Sequence, residues 1–471
     1  MGLPKSIPNH LSNRLPEWSI LAVFIGMAFI FWKTDFNFFW RDDWNFLDSM
    51  RHFDLAYMFE NHVGHITPLF KLTYYAQLQL FGTNAIFYSY TNILFFGLCN
   101  YAVFRLARSI MSITSAWVVA IALTIHPLMF NHVSWTFEQC ITFHFLFQVM
   151  AVAYFMRWTR SGVQKDLVLW FLFTIIQNYY FGNGLFIPLL FTAGTLLFRK
   201  EHIQWGAFIG SIVLFLSFAI IQLILGGTRG TSAVSLSSIP DMIHYGFYFL
   251  GLSTSRIFIL REWALGPMTP WLTGGAFIGL ALIAVLRKDR DRRLAWFHII
   301  WFVLAFCSIP IVKQGALAEN TLPHYYSVLA LIPMVFIIEH ALGGLSFWSR
   351  IPKRAMALAS IALVSLAFLI DQQLKDTVSF RNFRNKQQIV KAIREGTPYI
   401  GFDEPFFTEE NFADQDPEYD VTDPVAIYMY WKARDRFQLS MGYANSLKNW
   451  TENALGPKEV DVEIPKEDVA H

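Results

Sequence analysis

The chain has 471 residues, of which 54% are hydrophobic, 17% aromatic and only 15% charged, with a formal net charge of +2. So small a net charge gives no ground for a nucleic-acid partner, and recurring apolar runs of about 16 to 22 residues exclude a water-soluble globular domain. Cys99, Cys140 and Cys307 each lie within an apolar run, where they act as small hydrophobes and not as a disulfide framework.

In chain order, the first apolar segment, Trp18 to Trp32, is followed by no small-x-small cleavage site and reads as a retained helix. Spans are predicted near residues 18–33, 84–104, 112–130, 139–156, 166–181, 183–198, 205–225, 268–286, 295–312, 325–345 and 355–371, about eleven in all. The shorter runs need tilt, local thinning or re-entrant geometry to cross a hydrocarbon core of about 30 Å at about 1.5 Å per residue. The fold class is therefore an all-α polytopic membrane protein.

With a cytoplasmic N-terminus, the basic turns all fall on the cytoplasmic face. They hold Arg105 and Arg108; Arg157, Arg160 and Lys165; Arg199 and Lys200; Arg287, Lys288, Arg290, Arg292 and Arg293; and Arg350, Lys353 and Arg354. This agreement requires residues 243–260, interrupted by Ser253, Ser255 and Arg256, to be interfacial or re-entrant. The opposite face receives the loop 34–83, the turn 131–138, the interval 226–267, the turn 313–324 and the C-terminal tail. In the first loop, Asn45 to Met58 and Thr67 to Phe81 alternate at helical spacing, as two interfacial helices flooring a cavity would. Residues 1–372 thus form a membrane domain. Residues 373–471 form a tail or small domain, with a charged helical stretch, an acidic Pro-containing segment and an end of disordered composition.

The sharpest chemical signal is Asp42-Asp43, between Trp40 and Trp44, where the first helix meets water. Charge at that depth is costly and calls for a use. Two adjacent carboxylates supply a general base and a partner that orients the acceptor or holds a divalent cation. The indoles suit both a membrane belt and a wall for stacking a sugar. The plainer reading is a helix end that simply faces water.

His62 and His65 add imidazoles for a phosphate or a sugar, or, with the aspartates, mixed metal ligands. Glu138 stands at the mouth of the same side, as a second acidic group or as an interfacial charge. Cations on that face are few. Arg229, Arg256, Arg261 and Lys313 are candidates to hold a phosphate, against snorkelling to headgroups. Asp289-Arg290-Asp291 has the form of a nucleotide-sugar metal motif, but it lies in a short basic turn with no nucleotide-binding domain around it and reads as a solvated topogenic turn. Asn449-Trp450-Thr451 is formally a glycosylation sequon of a frequent kind.

With these residues assembled, the chain resembles the GT-C superfamily of multi-pass glycosyltransferases that use polyprenyl-phosphate sugars, in the protein O-mannosyltransferase-like branch. Asp42-Asp43 follows the first helix, where that family carries an acidic pair. Gly64-His65-Ile66-Thr67-Pro68-Leu69 is similar to its His-x-x-Pro-Leu stretch. His126-Pro127 with Val133-Ser134-Trp135 resembles its turn between helices three and four. Asn183 to Pro188 and Leu322-Pro323-His324-Tyr325-Tyr326 resemble two later segments. Asn131 and Asn183 depart from the family's acidic residues, and no Arg/Asp pair follows Trp135.

The resemblance implies a GT-C-like bundle in a cell inner membrane, with its catalytic loops periplasmic. It implies inverting transfer of a sugar from a polyprenyl-phosphate carrier to a glycan, lipid or protein. Asp42 would be the base and Asp43 its partner. Trp44, His62, His65, Glu138, Arg256, Arg261, Lys313, His324 and Tyr325 would bind substrate. Two other classes stay open: a polymerase or ligase with a lipid-diphosphate donor, which would rely on Arg and His of the later loops, and a transporter of lipid-linked sugars, which would carry charge at mid-membrane instead of at a surface.

Overall fold

The structure is a computed structural model. It describes residues 53–62, 65–82, 85–124, 126, 136–198, 204–225, 268–289, 291–312 and 328–343, with parts of 17–25, 46–50 and 246–251. Among the described residues every regular element is helical. These are α1 (Leu55–Phe59), α2 (Pro68–Phe81), α3 (Ala85–Ile110), α4 (Ile113–Thr124), α5 (Gln139–Ser161), α6 (Gln164–Tyr180), α7 (Ile187–Phe198), α8 (Trp205–Leu225), α9 (Thr269–Leu286), α10 (Arg292–Val312) and α11 (Leu331–Leu342). A 3-10 turn, Gly182–Phe186, joins α6 to α7.

Among the described residues, three stretches are long and apolar enough to cross a membrane: Ile86–Ile110, Gln139–Ser161 and Trp205–Gln222. Shorter apolar helices stand among them. The outward faces are apolar as well. On α8, Trp205, Ile209, Val213, Leu216, Ile220 and Ile224 form one exposed stripe at three- and four-residue spacing. On α3, Phe87, Tyr90, Leu94, Leu98 and Tyr101 do the same. In water such stripes would be a liability, whereas lipid solvates them at no cost.

The helix boundaries follow local chemistry. Ser112 Oγ accepts from Ser115 N at 3.1 Å and caps the start of α4. Gly162, with φ 71°, takes the left-handed position past the end of α5, and its N–H returns to Trp158 O at 2.8 Å. Gly82, with φ 55°, ends α2. Predicted spans from 84 to 345 coincide with α3 to α11, with corrections at the ends. α3 continues through Arg105 and Arg108, and α5 through Arg157 and Arg160, instead of stopping at the first cation. Long side chains at helix ends carry their charge outward while the backbone stays helical; Arg105, for example, donates to Tyr101 Oη at 3.1 Å. α4 is described to Thr124, and His126 stands outside it. The predicted interfacial helix 45–58 is interrupted at Phe53-Asp54, because Asp54 caps a new helix: its Oδ1 accepts from Ala56 N at 2.8 Å. The first span lies partly, and the span 355–371, the segment 252–260 and the tail lie wholly, outside the described residues.

The bundle has a basic end and an opposite, polar end. At the first, Arg160 Nη1 donates to Ser109 O at 2.8 Å, tying α5 to the end of α3, and Arg157 pairs with Asp166 of α6 at 3.2 Å. Phe297, near the start of α10, packs on Phe155 of α5 and on Phe198 at the end of α7. Arg287 donates to Ala341 O at 2.9 Å, bringing in the ends of α9 and α11. Among the described residues, the turns at Arg108, at Arg157 to Lys165 and at Arg287 thus lie at one end, while Arg199, Lys200, Arg350, Lys353 and Arg354 lie outside the described residues. The turn at Asp289 to Asp291 behaves as a turn: Asp289 pairs with Arg287, and Asp291 Oδ1 accepts from Arg293 N at 2.9 Å at the start of α10.

Candidate functional site

The polar end is built on α1 and α2. Five residues are too few to hold a helix unaided, and α1 is held by a side chain from its neighbour. Lys71 Nζ donates to Tyr57 O at 2.7 Å and to Glu60 O at 2.8 Å, and lies 4.2 Å from the centroid of the Tyr57 ring. An ammonium suits carbonyls at a helix C-terminus. Lys71 is 1% exposed. Burial strips water from its ammonium and pulls the amine down to about 8, a shift that the charge of Glu60 opposes. On α2, Phe70, Lys71, Tyr74 and Gln77 form the buried stripe. Tyr74 Oη meets Thr136 Oγ1 at 3.4 Å and Gln77 Nε2 donates to Gln139 Oε1 at 2.8 Å, so α2 is fastened to the start of α5.

Phe46 is the hub of this region. It is fully buried, with ring centroids at 4.7 Å to His62, 5.2 Å to Phe137, 5.4 Å to Phe70, 6.0 Å to Tyr74 and 6.4 Å to Tyr57. His62 also packs on Phe137 at 5.5 Å, the residue before Glu138. Glu138 is 5% exposed at the N-terminus of α5, where the helix dipole favours a carboxylate. Its carboxylate is therefore buried and not solvent-facing.

His62 and His65 exchange both main-chain hydrogen bonds at 2.9 Å, an isolated antiparallel pair. Their rings diverge. His62 enters the Phe46 cluster, while His65 lies 4.7 Å from the ring of Phe181, where α6 ends. The two imidazoles therefore face different neighbours instead of sharing one metal position. Among the described residues no group of three His, Cys, Asp or Glu is arranged to hold an ion.

The break after α6 gives His65 its setting. Tyr180 stacks on Phe143 at 4.8 Å, and its hydroxyl meets Thr73 Oγ1 at 3.0 Å. A Cβ on Gly182 would stand 2.9 Å from His65 Nδ1 and 2.9 Å from Gln222 Nε2, so glycine lets the side chains of α8 and the first loop approach this closely without shifting. Below it, His144 Nδ1 lies 3.2 Å from Gln177 O, and because a carbonyl only accepts, Nδ1 carries the proton. Gln177 is fully buried, with neither side-chain amide atom bonded.

Of the residues singled out from sequence, the structure brings His62, His65 and Glu138 to one end of the bundle. Asp42, Asp43, Trp44, Arg256, Arg261, Lys313, His324 and Tyr325 lie outside the described residues. Sequence reasoning missed Lys71, although it is the one charged residue of the helix PLFKLTYYAQLQLF and sits on its buried stripe. It also missed Phe46, which no local pattern distinguishes from other phenylalanines. Compared with known proteins, the chain matches no family model and no curated protein sequence.

Proposed function

We propose that the protein is an integral membrane glycosyltransferase of GT-C type. It moves a sugar from a polyprenyl-phosphate carrier to an acceptor hydroxyl on the non-cytoplasmic face of an inner membrane. Asp42 takes the hydroxyl proton as the oxygen attacks the anomeric carbon, the bond from that carbon to the phosphate oxygen breaks from the opposite side, and configuration inverts. Asp43 orients the acceptor or holds a cation. Trp44 stacks the sugar. His65 and His324 with Tyr325 contact sugar or phosphate, and Arg256, Arg261 and Lys313 stabilise the leaving phosphate. His62 and Glu138 support the wall.

The observation that carries this reading is the burial of Phe46 against His62 and Phe137. Phe46 follows Asp43 by three residues, a length of chain that reaches at most about 11 Å. On the proposed reading the acidic pair works beside His62, His65 and Glu138, which the described residues bring to one end of the bundle. The supporting facts are the apolar outer stripes, which suit lipid, and the gathering of the described basic turns at the opposite end, as the positive-inside rule expects of a chain whose polar chemistry faces outward. The test is incubation of membranes containing the chain with radiolabelled polyprenyl-phosphate sugars. Label appearing in an acceptor fraction, with the anomeric configuration inverted, supports the reading. Release or uptake of intact lipid-linked sugar without bond cleavage contradicts it.

A further inference from the structure

At the basic end, between the last turn of α5 and the first turn of α6, lies an open groove of about 400 Å³. Its polar wall holds Arg157, Arg160 and Lys165 against one carboxylate, Asp166, and its apolar wall holds Tyr154, Val163 and Leu169. The groove exists because Gly162, in the left-handed conformation, ends α5 abruptly and lets the chain enter α6 after one further residue, Val163. The cations on the two helices then face a common space.

Two of these cations are held in place by the protein itself. Arg160 gives Nη1 to Ser109 O of α3 at 2.8 Å, and Arg157 is fixed by Asp166 at 3.2 Å and by the Tyr154 ring, 5.1 Å from its Cζ. A guanidinium has five N–H donors, so both retain donors for a ligand. Asp166 is buried and engaged with Arg157, which leaves an uncompensated positive charge on the groove. Arg forks suit phosphate oxygens, and their order is set before any ligand arrives.

The apolar side decides what carries the phosphate. Val163 is exposed at the groove, and Val168, Leu172 and Ile175 continue along the outer face of α6 at helical spacing, away from the basic end, for about 10 Å. A free anion has no use for that track, whereas an acyl chain fits it.

We infer that the α5–α6 groove is a binding site for the phosphate headgroup of an anionic phospholipid, with an acyl chain laid along α6. The site is separate from the proposed catalytic end and does not depend on that reading.

The experiment uses the purified full-length chain in detergent, delipidated and then offered phosphatidylglycerol or phosphatidylcholine, with retained lipid counted by native mass spectrometry. The expected result is a preference for phosphatidylglycerol of about tenfold. Arg160→Gln combined with Lys165→Gln removes that preference, and Lys165→Gln alone, on an exposed side chain, lowers it. Arg292→Gln, which removes one charge elsewhere on the basic end as Lys165→Gln does in the groove, leaves it intact. Equal retention of the two lipids in the wild type overturns the proposal. So does an equal fall with Arg292→Gln, which would assign the preference to general surface charge. Displacement of the lipid by millimolar inorganic phosphate also overturns it, since the groove would then be a simple anion site. Size-exclusion elution identifies any variant that has not folded, in which case the single Lys165→Gln variant decides.

Discussion

Lys71 and Tyr57 hold the first loop together: the Lys71 ammonium donates to the Tyr57 carbonyl at 2.7 Å and lies 4.2 Å from that residue's ring. One side chain thus closes the C-terminus of α1 and fixes it on α2. Replacing Lys71 by Met keeps the bulk but leaves the carbonyls of Tyr57 and Glu60 without their donor, at a cost of about 1–3 kcal/mol. The expected outcome for Lys71→Met is a lower thermal midpoint in detergent and faster amide hydrogen exchange across residues 55–60. Unchanged exchange there would contradict the clamp.

The same amine gives a pH signature. Its ordinary value of 10.5 is lowered to about 8 in the folded protein, so between those two values the folded state binds fewer protons than the unfolded one. Stability contributed by this group therefore rises with pH through that window, as the penalty for burying the ammonium is relieved. Below pH 8 both states are protonated and the contribution is flat. Measured against Lys71→Met, the wild type should gain thermal midpoint from pH 8 to 10; a loss over that range would contradict the assignment.

Gly182 gives a way to move His65 without touching it. The Cβ of Gly182→Ala would press on His65 Nδ1 and Gln222 Nε2, which are side-chain ends and can yield. The fold should survive with its thermal midpoint little changed, while misplacement of His65 by about 1 Å lowers transfer tenfold to a hundredfold. Full activity in this variant would remove His65 from the site.

Two glutamines separate a buried amide that makes a side-chain hydrogen bond from one that makes none. Gln77→Leu leaves Gln139 Oε1 unpaired inside the bundle and is expected to destabilise by about 1–3 kcal/mol. Gln177→Leu removes two unbonded polar atoms and is expected to leave the thermal midpoint unchanged or raise it. The opposite ranking of the two variants would contradict this account of the core.

Asp289 and Asp291 are engaged in closing the turn before α10. Asp289→Asn and Asp291→Asn should therefore leave transfer within about twofold of wild type, as surface substitutions do. Abolition of activity by either would restore that motif to the chemistry.

The membrane helices were legible because lipid imposes long apolar runs, and a run such as 205–225 leaves little freedom in where the helix lies. Helix ends were less legible, because Arg105 and Arg157 look like boundaries in sequence yet snorkel from intact helices. His62, His65 and Glu138 could be named from their chemistry. Their arrangement could not, since it is set by contacts such as Gln77 with Gln139 and Thr73 with Tyr180, separated by 62 and 107 residues. Lys71 was hidden for a related reason: the carbonyls that justify its burial lie 14 and 11 residues before it, across a helix too short for periodicity to reveal.

The most direct measurement compares sugar transfer from radiolabelled polyprenyl phosphate by the wild type, Asp42→Asn and Asp43→Asn, with donor binding and expression measured in parallel. The account predicts that one of the two variants, Asp42→Asn, loses transfer by several orders of magnitude while still binding the donor. Transfer that survives both substitutions would contradict it, and would remove the first loop from catalysis.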